Sequence, residues 1–348
     1  DDLLDHVGKV HTRKDGQVIV DVAPINFYEN LFLNGVRAEL WMEPDVTPEN
    51  LRENMAEFYR DPDPQGKVAL VLGAGNVASI APLDVLHKLF SEGQVVMLKL
   101  NPVNDYLAPI FEELFESLIA YGFVRIISGD ADVGAYLVDN ENIDEIHMTG
   151  STRTHDLIVY GPGEEGEKRK AEGKPRISKR VTSELGNVSP TIVLPGDWTK
   201  DDYRFQAENI VTQKLHNGGF NCIASQVLIV PEEWDGTPYR MGEIRRLLRT
   251  VPDRTAYYPG AVERAQRFAD SHERAEAIGK MEGGASPRVL LAQIDPEDVD
   301  AVSFREEAFG TVMAQTSLPG ADAATFLRNA VTFANETLYG TLLSLIHI

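Results

Sequence analysis

From Gly66 onward the chain switches repeatedly between two hydrophobic periods, and this alternation constrains its fold more than any other feature. "KVALVL" (Lys67 to Leu72) is a short, β-branched apolar run ending in "GAGN", which reads as a buried strand entering a glycine-rich turn. "QVVMLKL" (Gln94 to Leu100) is a second strand, closed by Asn101 and Pro102. Leu107, Ile110, Phe111, Leu114, Leu118 and Ile119 then recur at helical steps, and Gly122 is placed to stop that helix. "FVRIIS" (Phe123 to Ser128) and "IDEIHMTG" (Ile143 to Gly150) predict further strands with a short helix between them. "SPTIVLP" and "ASQVLIVP" add two more. Strands alternating with helices require crossover connections, and so a largely parallel sheet covered on both faces. The expected fold is doubly wound α/β, with its ligand at the carboxyl ends of the strands.

Two stretches depart from this rhythm. "GPGEEGEKRKAEGKPRISKR" (Gly161 to Arg180) mixes glycine, proline and dense charge, and is expected to be a solvated surface loop rather than a phosphate-binding patch. The region from Trp234 to Ala285 is polar and helical in character, without legible chemistry.

Composition narrows the function. With 348 residues, 43% of them hydrophobic, the chain can bury a sizeable core in two domains. Its net charge of -21 repels a nucleic-acid backbone and an anionic membrane surface, so neither is an expected partner. No apolar stretch approaches the roughly eighteen residues of a spanning helix. One cysteine, Cys222, cannot form an intrachain disulfide, and a cytoplasmic location is expected.

That thiol lies in "HNGGFNCIAS", where Gly218 and Gly219 permit close backbone approach and unusual dihedrals just before it. A thiol on a tight loop entering a strand suits a nucleophile better than a core position does. "SELGNVSP" puts Glu184 at the edge of the strand "TIVLP", as a solvated charge or a raised-pKa base. Asn76 in "GAGNV" is a turn residue or an oxyanion donor. "TGST" follows a strand and opens a helix, where free N–H groups and Ser151 can hold a phosphate. Lys99 ends a strand within reach of a ribose or phosphate, and "EEAFG" can present Glu307 to ribose hydroxyls.

Taken in order, GAGN, VVMLKLNP, TGST, SELGNVSP, NGGFNCIAS and EEAFG resemble the aldehyde dehydrogenase superfamily over about Gly66 to Gly340. The resemblance implies a dinucleotide-binding domain with a doubly wound, largely parallel sheet, an α/β catalytic domain carrying the cysteine, and a small oligomerisation element. It implies Cys222 as nucleophile, Glu184 as general base and Asn76 as oxyanion donor together with the Cys222 backbone N–H. Lys99, Gly150, Ser151, Glu307 and Phe309 fall on its cofactor-contacting positions. The implied reaction oxidises a small-molecule aldehyde to a carboxylic acid through a thiohemiacetal and a thioester, in a homo-oligomer when the chain is full length. A CoA-acylating dehydrogenase or acyl reductase is the alternative, disfavoured by the presence of Glu184; a catalytically silent cofactor-binding paralogue is a second.

Departures from the family pattern bear on the cofactor. After Lys99 stand Leu100, Asn101 and Pro102, where the family places a carboxylate that selects the 2′-hydroxyl of NAD. NAD is the expected cofactor, since no arginine adjoins Lys99 in sequence, with NADP left open. His155 replaces a second glycine after Gly150, and Gly-Phe-Asn precedes Cys222. The expected domains are residues 1–186 (N-terminal segment and dinucleotide-binding domain) and 187–342 (an incomplete catalytic thiol domain). The last six residues, "LSLIHI" (343–348), coincide with a reading frame of a common sequencing-library adapter and are expected to be a non-native tail. With Asp1 in place of a start Met, the chain is expected to be a fragment.

Overall fold

The computed structural model describes residues 7–279, 287–340 and the backbone of 345–347. The chain divides into two units, Asp1–Gly66 with Phe90–Gly93, and Lys67–Leu89 with Gln94–Ile348. In the first, strands β1 (Val10–Thr12), β2 (Val18–Ala23) and β3 (Ala38–Trp41) form an antiparallel sheet. Helix α1 (Phe27–Phe32) follows β2, capped by the Asn26 side chain, which accepts from the Glu29 N–H. Val20, Val46 and Leu51 make this unit's small core.

In the second unit, β4 (Val68–Leu72), β5 (Val95–Lys99), β6 (Val124–Ile127), β7 (Glu145–Gly150) and β8 (Arg180–Leu185) form a parallel sheet in the order β6-β5-β4-β7-β8. Between them run α2 (Ile80–Phe90), α3 (Ala108–Leu114), α4 (Glu116–Ala120), α5 (Ala131–Asp139), α6 (Thr152–Val159) and α7 (Gly163–Ala171). Neighbours on β4 serve opposite faces: Val71 packs with Val85, Leu98 and Phe111, while Leu70 packs with Leu137, Ile146 and Ile158. This two-sided burial is what the continuous apolar strand runs demanded.

A second sheet follows directly, built from β9 (Ser189–Val193), β10 (Ser225–Pro231), β11 (Ala275–Ile278), β12 (Arg288–Ile294), β13 (Val312–Leu318) and β14 (Leu345–His347). Its order is β11-β12-β13-β10-β9-β14, parallel except for the β11–β12 pair. Helices α8 (Lys200–Leu215), α9 (Gly236–Thr250), α10 (Ala261–Asp270), α11 (Val302–Arg305) and α12 (Ala323–Glu336) flank it. Here too the strand faces part company, with Val227 and Ile229 in one core and Leu228 and Val230 in the other.

Two expectations change. Gly161 to Arg180 is not one loop: α7 occupies Gly163–Ala171, with Glu164 and Glu165 in its first turn and Lys168, Arg169 and Lys170 in its last. That charge order complements the helix dipole, and Lys170 pairs with Asp156 at 2.8 Å. The helix expected around Leu107 to Ile119 is split, with a 3-10 turn at Pro102–Leu107 and a break at Phe115 between α3 and α4. The polar stretch after Trp234 holds α9, α10 and β11, while 280–285 fall outside the described residues. Of the expected tail, Leu345–His347 pair with β9, and Leu343, Ser344 and Ile348 lie outside the described residues.

Candidate active site

The chain reaches Cys222 through a sharp reversal. After α8, Asn217, Gly218 and Gly219 take left-handed φ values of 53°, 66° and 77° in succession. A Cβ at Gly219 would overlap the carbonyl of Gly310, so glycine is required there by both dihedral and contact. The loop is held from three sides. Asn187 Nδ2 donates to the Cys222 carbonyl at 2.8 Å, and Asn187 Oδ1 accepts from Ser189 Oγ at 2.8 Å. Asn76 Nδ2 donates to the Phe220 carbonyl at 3.1 Å. The Asn76 carbonyl in turn accepts from Asn217 Nδ2 at 2.9 Å and from the Tyr257 hydroxyl at 3.2 Å. An amide carries two hydrogens, and the bond to Phe220 uses one of those of Asn76.

Cys222 is half-buried. Burial pushes its thiol pKa up, and the charge of Glu307 adds to that; the N–H groups of Cys222 and Ile223 pull the other way. Glu184 stands at the end of β8, registered beside Thr149 and exposed. Glu307 has the opposite setting. A Cβ at Gly186 would overlap its Oε2, and its Oε1 is buried without a hydrogen-bond partner among the described residues. Burial raises this carboxyl to about 7, against the pull of Lys214 and Arg264. Lys214, fully buried on α8, is lowered to about 7 by the same desolvation and donates to Gln226 Oε1 at 3.1 Å. Arg264 fixes the adjoining loop through the carbonyls of Ala308 (2.8 Å) and Phe309 (3.0 Å).

Asn76, Lys99, Gly150, Ser151, Glu184, Cys222, Glu307 and Phe309 line one cleft of about 690 Å³. Other parts of its lining differ chemically from the thiol. Lys99 is 7% exposed, its pKa lowered by burial and supported by Asp105 and Asp130. Ser151 caps α6, accepting from the Thr154 N–H at 3.2 Å, and Thr149 Oγ1 is buried without a partner among the described residues. A volume in the usual range for cofactor sites, a helix N-terminus, a buried ammonium and orphaned hydroxyl and carboxylate oxygens suit a dinucleotide's phosphates and ribose hydroxyls.

Sequence reasoning missed Asn187, Lys214, Tyr258 and Arg264. Asn187 stood inside a quoted motif, and its neighbour Gly186 was the signal of a crowded backbone. Tyr258 lines the cleft and packs against Phe220 and Phe309 at ring separations of 5.7 and 4.9 Å. It comes from the stretch in which no chemistry was legible. Arginines do reach the cleft despite their absence beside Lys99 in sequence: Arg264 and Arg176 both line it. Arg176 is engaged by Asp139 at 2.7 Å. Outside this cleft, among the described residues, His11, Asp21 and Glu39 gather metal-ligand types, but Arg37 holds both carboxylates at 2.7 and 2.9 Å.

Comparison with known proteins agrees with this architecture. The chain is 28% identical over 298 residues to an aminoacetaldehyde dehydrogenase of Pseudomonas aeruginosa, covering 80% of this chain and 54% of that protein. It is 24% identical over 306 residues to a D-glyceraldehyde dehydrogenase (NADP(+)) of Picrophilus torridus, covering 82% and 57%. It thus spans about half the length of the curated relatives it matches. Among solved structures, a salicylaldehyde dehydrogenase from Pseudomonas putida G7 superposes with a TM-score of 0.62 at 19% identity, over 81% of this chain and 56% of the other. An NAD-dependent aldehyde dehydrogenase from Sinorhizobium meliloti gives 0.59 at 22%, over 78% and 52%, which speaks to the fold. The model of the aldehyde dehydrogenase family matches residues 46–243, more than half of the sequence, and the chain belongs to that family.

Proposed function

We propose that this protein oxidises an aldehyde to a carboxylic acid with a nicotinamide dinucleotide, using Cys222 as the nucleophile. One observation carries the reading: the chain's sole thiol opens into the same cleft as Lys99, the N-terminus of α6 and Glu307, with the Asn76 amide tied to its loop. Lys99, Gly150, Ser151 and Glu307 would hold the dinucleotide, and Phe309 would border it. Bound there, the nicotinamide supplies the hydride acceptor. The chain's own residues do the rest. The Cys222 sulfur adds to the aldehyde carbon, and the Asn76 amide and Cys222 N–H stabilise the oxyanion that forms. Once the hydride has left, the acyl group remains on Cys222 as a thioester. Glu184, exposed at the strand end, takes a proton from the water that releases the acid.

The finer assignments are also proposals. Residues 1–186 serve the dinucleotide and 187–342 the thiol chemistry; NAD is the preferred cofactor. A homo-oligomer is the assembly that the family resemblance implies, and a lone thiol suits the reducing cytoplasm.

An aldehyde panel with NAD and NADP, followed by the absorbance of reduced nicotinamide, tests the activity. Cys222→Ala should abolish turnover and leave dinucleotide binding nearly intact, while Glu184→Gln should give one burst of reduced cofactor and then stall. Wild-type turnover by the Ala variant would sink the assignment. Release of the acyl group by CoA rather than water would favour the acylating alternative.

A further inference from the structure

The carboxylate missing after Lys99 has a counterpart just beyond the neighbouring strand. β5 and β6 pair in parallel with Lys99 opposite Ile127, and the Leu100 N–H donates to the Ile127 carbonyl at 2.9 Å. Three residues beyond that pairing, Pro102 follows one strand and Asp130 the other, Asp130 at the N-cap of α5. Asp130 caps α5 through one oxygen only: its Oδ1 accepts from the N–H groups of Asp132 (3.1 Å) and Val133 (3.3 Å). Its Oδ2 takes no hydrogen bond from the described residues. Both Asp130 and Asp132 line the cleft beside Lys99, and both are exposed to it.

We propose that Asp130, seconded by Asp132, is the residue by which this cleft selects a dinucleotide carrying a free 2′-hydroxyl and rejects one carrying a 2′-phosphate. The inference rests on the dinucleotide reading given above and deepens it. A carboxylate at a strand end accepts from ribose hydroxyls, and it repels a phosphate placed at the same point. Two groups of the cleft that would welcome a 2′-phosphate are already engaged. Asp130 occupies the first N–H groups of α5, and Arg176 is engaged by Asp139. Lys99 remains, but the charges of Asp105 and Asp130 act on it, so it does not offer an unopposed cation.

The full chain should be titrated calorimetrically with NAD and, separately, with NADP. The wild type is expected to bind NAD at least roughly tenfold more tightly, the order of effect of one nearby like charge. Asp130→Asn keeps the capping oxygen and removes the charge, so the helix should survive. NAD affinity should then fall while NADP affinity rises, together closing the gap by about tenfold. A merely structural defect weakens both ligands in the same direction. Adding Asp132→Asn should carry the shift further. Equal or tighter NADP binding by the wild type overturns the inference and leaves the dinucleotide reading standing, as does a ratio unmoved in the double variant. Failure of the wild type to bind either dinucleotide overturns both.

Discussion

Glu307 and Lys214 set a pH dependence that can be stated with its sign. The folded Glu307 carboxyl is raised from 4.5 to about 7, so the folded state keeps a proton that the unfolded state has already lost. Stability therefore falls as pH rises between those values, and the full penalty, about 3 kcal/mol, stands above 7. Lys214, lowered from 10.5 to about 7, carries the mirror-image penalty: it is full below 7 and relieved as pH rises toward 10.5. Glu307→Gln should therefore stabilise the protein at about pH 8, by up to about 3 kcal/mol, and change little at about pH 5. Lys214→Met should stabilise the protein at both pH values, and more at about pH 5 than at about pH 8. Denaturant unfolding at the two pH values checks both, and a pH-independent difference for either variant would refute the linkage.

At the level of elements, the reactive loop is positioned by backbone, not by side-chain bulk. Gly219 has φ of 77° and abuts the Gly310 backbone, so the turn carrying Cys222 and the turn carrying Glu307 and Phe309 cannot move independently. Gly219→Ala should destabilise the fold by more than about 2 kcal/mol, because a methyl cannot be accommodated by a side-chain rotation when the neighbour is a carbonyl. The same variant should slow alkylation of the single thiol, which needs no substrate and reports the loop alone. Unfolding and labelling rates equal to wild type would show that the two turns are not coupled.

The molecule as a whole carries a charge of -21, while its proposed cofactor is an anion. Long-range repulsion then opposes encounter, even where Lys99 and the helix N-terminus attract at short range. Raising ionic strength from about 0.01 to about 0.15 M shortens the Debye length from about 30 to about 8 Å. Stopped-flow association with the dinucleotide should therefore accelerate with salt. Slowing would mean that a local basic field outweighs the net charge.

What the sequence determined by itself was the sheet and the order of its ligand-bearing ends. Runs such as Val68–Leu72 and Ser225–Pro231 are apolar on both faces, and burial on both faces leaves a parallel, helix-covered sheet as the economical arrangement. The glycines of the Cys222 turn were legible too, since three left-handed residues leave few other choices. Helix α7 was not, because its stability lies in the order of its charges along a polar segment with no apolar stripe. Only the tertiary structure set Asn187 under the Cys222 carbonyl, Lys214 behind Glu307, and Asp130 beside Lys99. Each of these relations joins side chains from different elements, and its strength depends on distance and burial. No period within one segment encodes either quantity. The same holds for Glu184 and Glu307: neither motif states how deeply its carboxylate is buried, and the fold leaves Glu184 exposed while desolvation makes Glu307 a group that holds its proton to about 7.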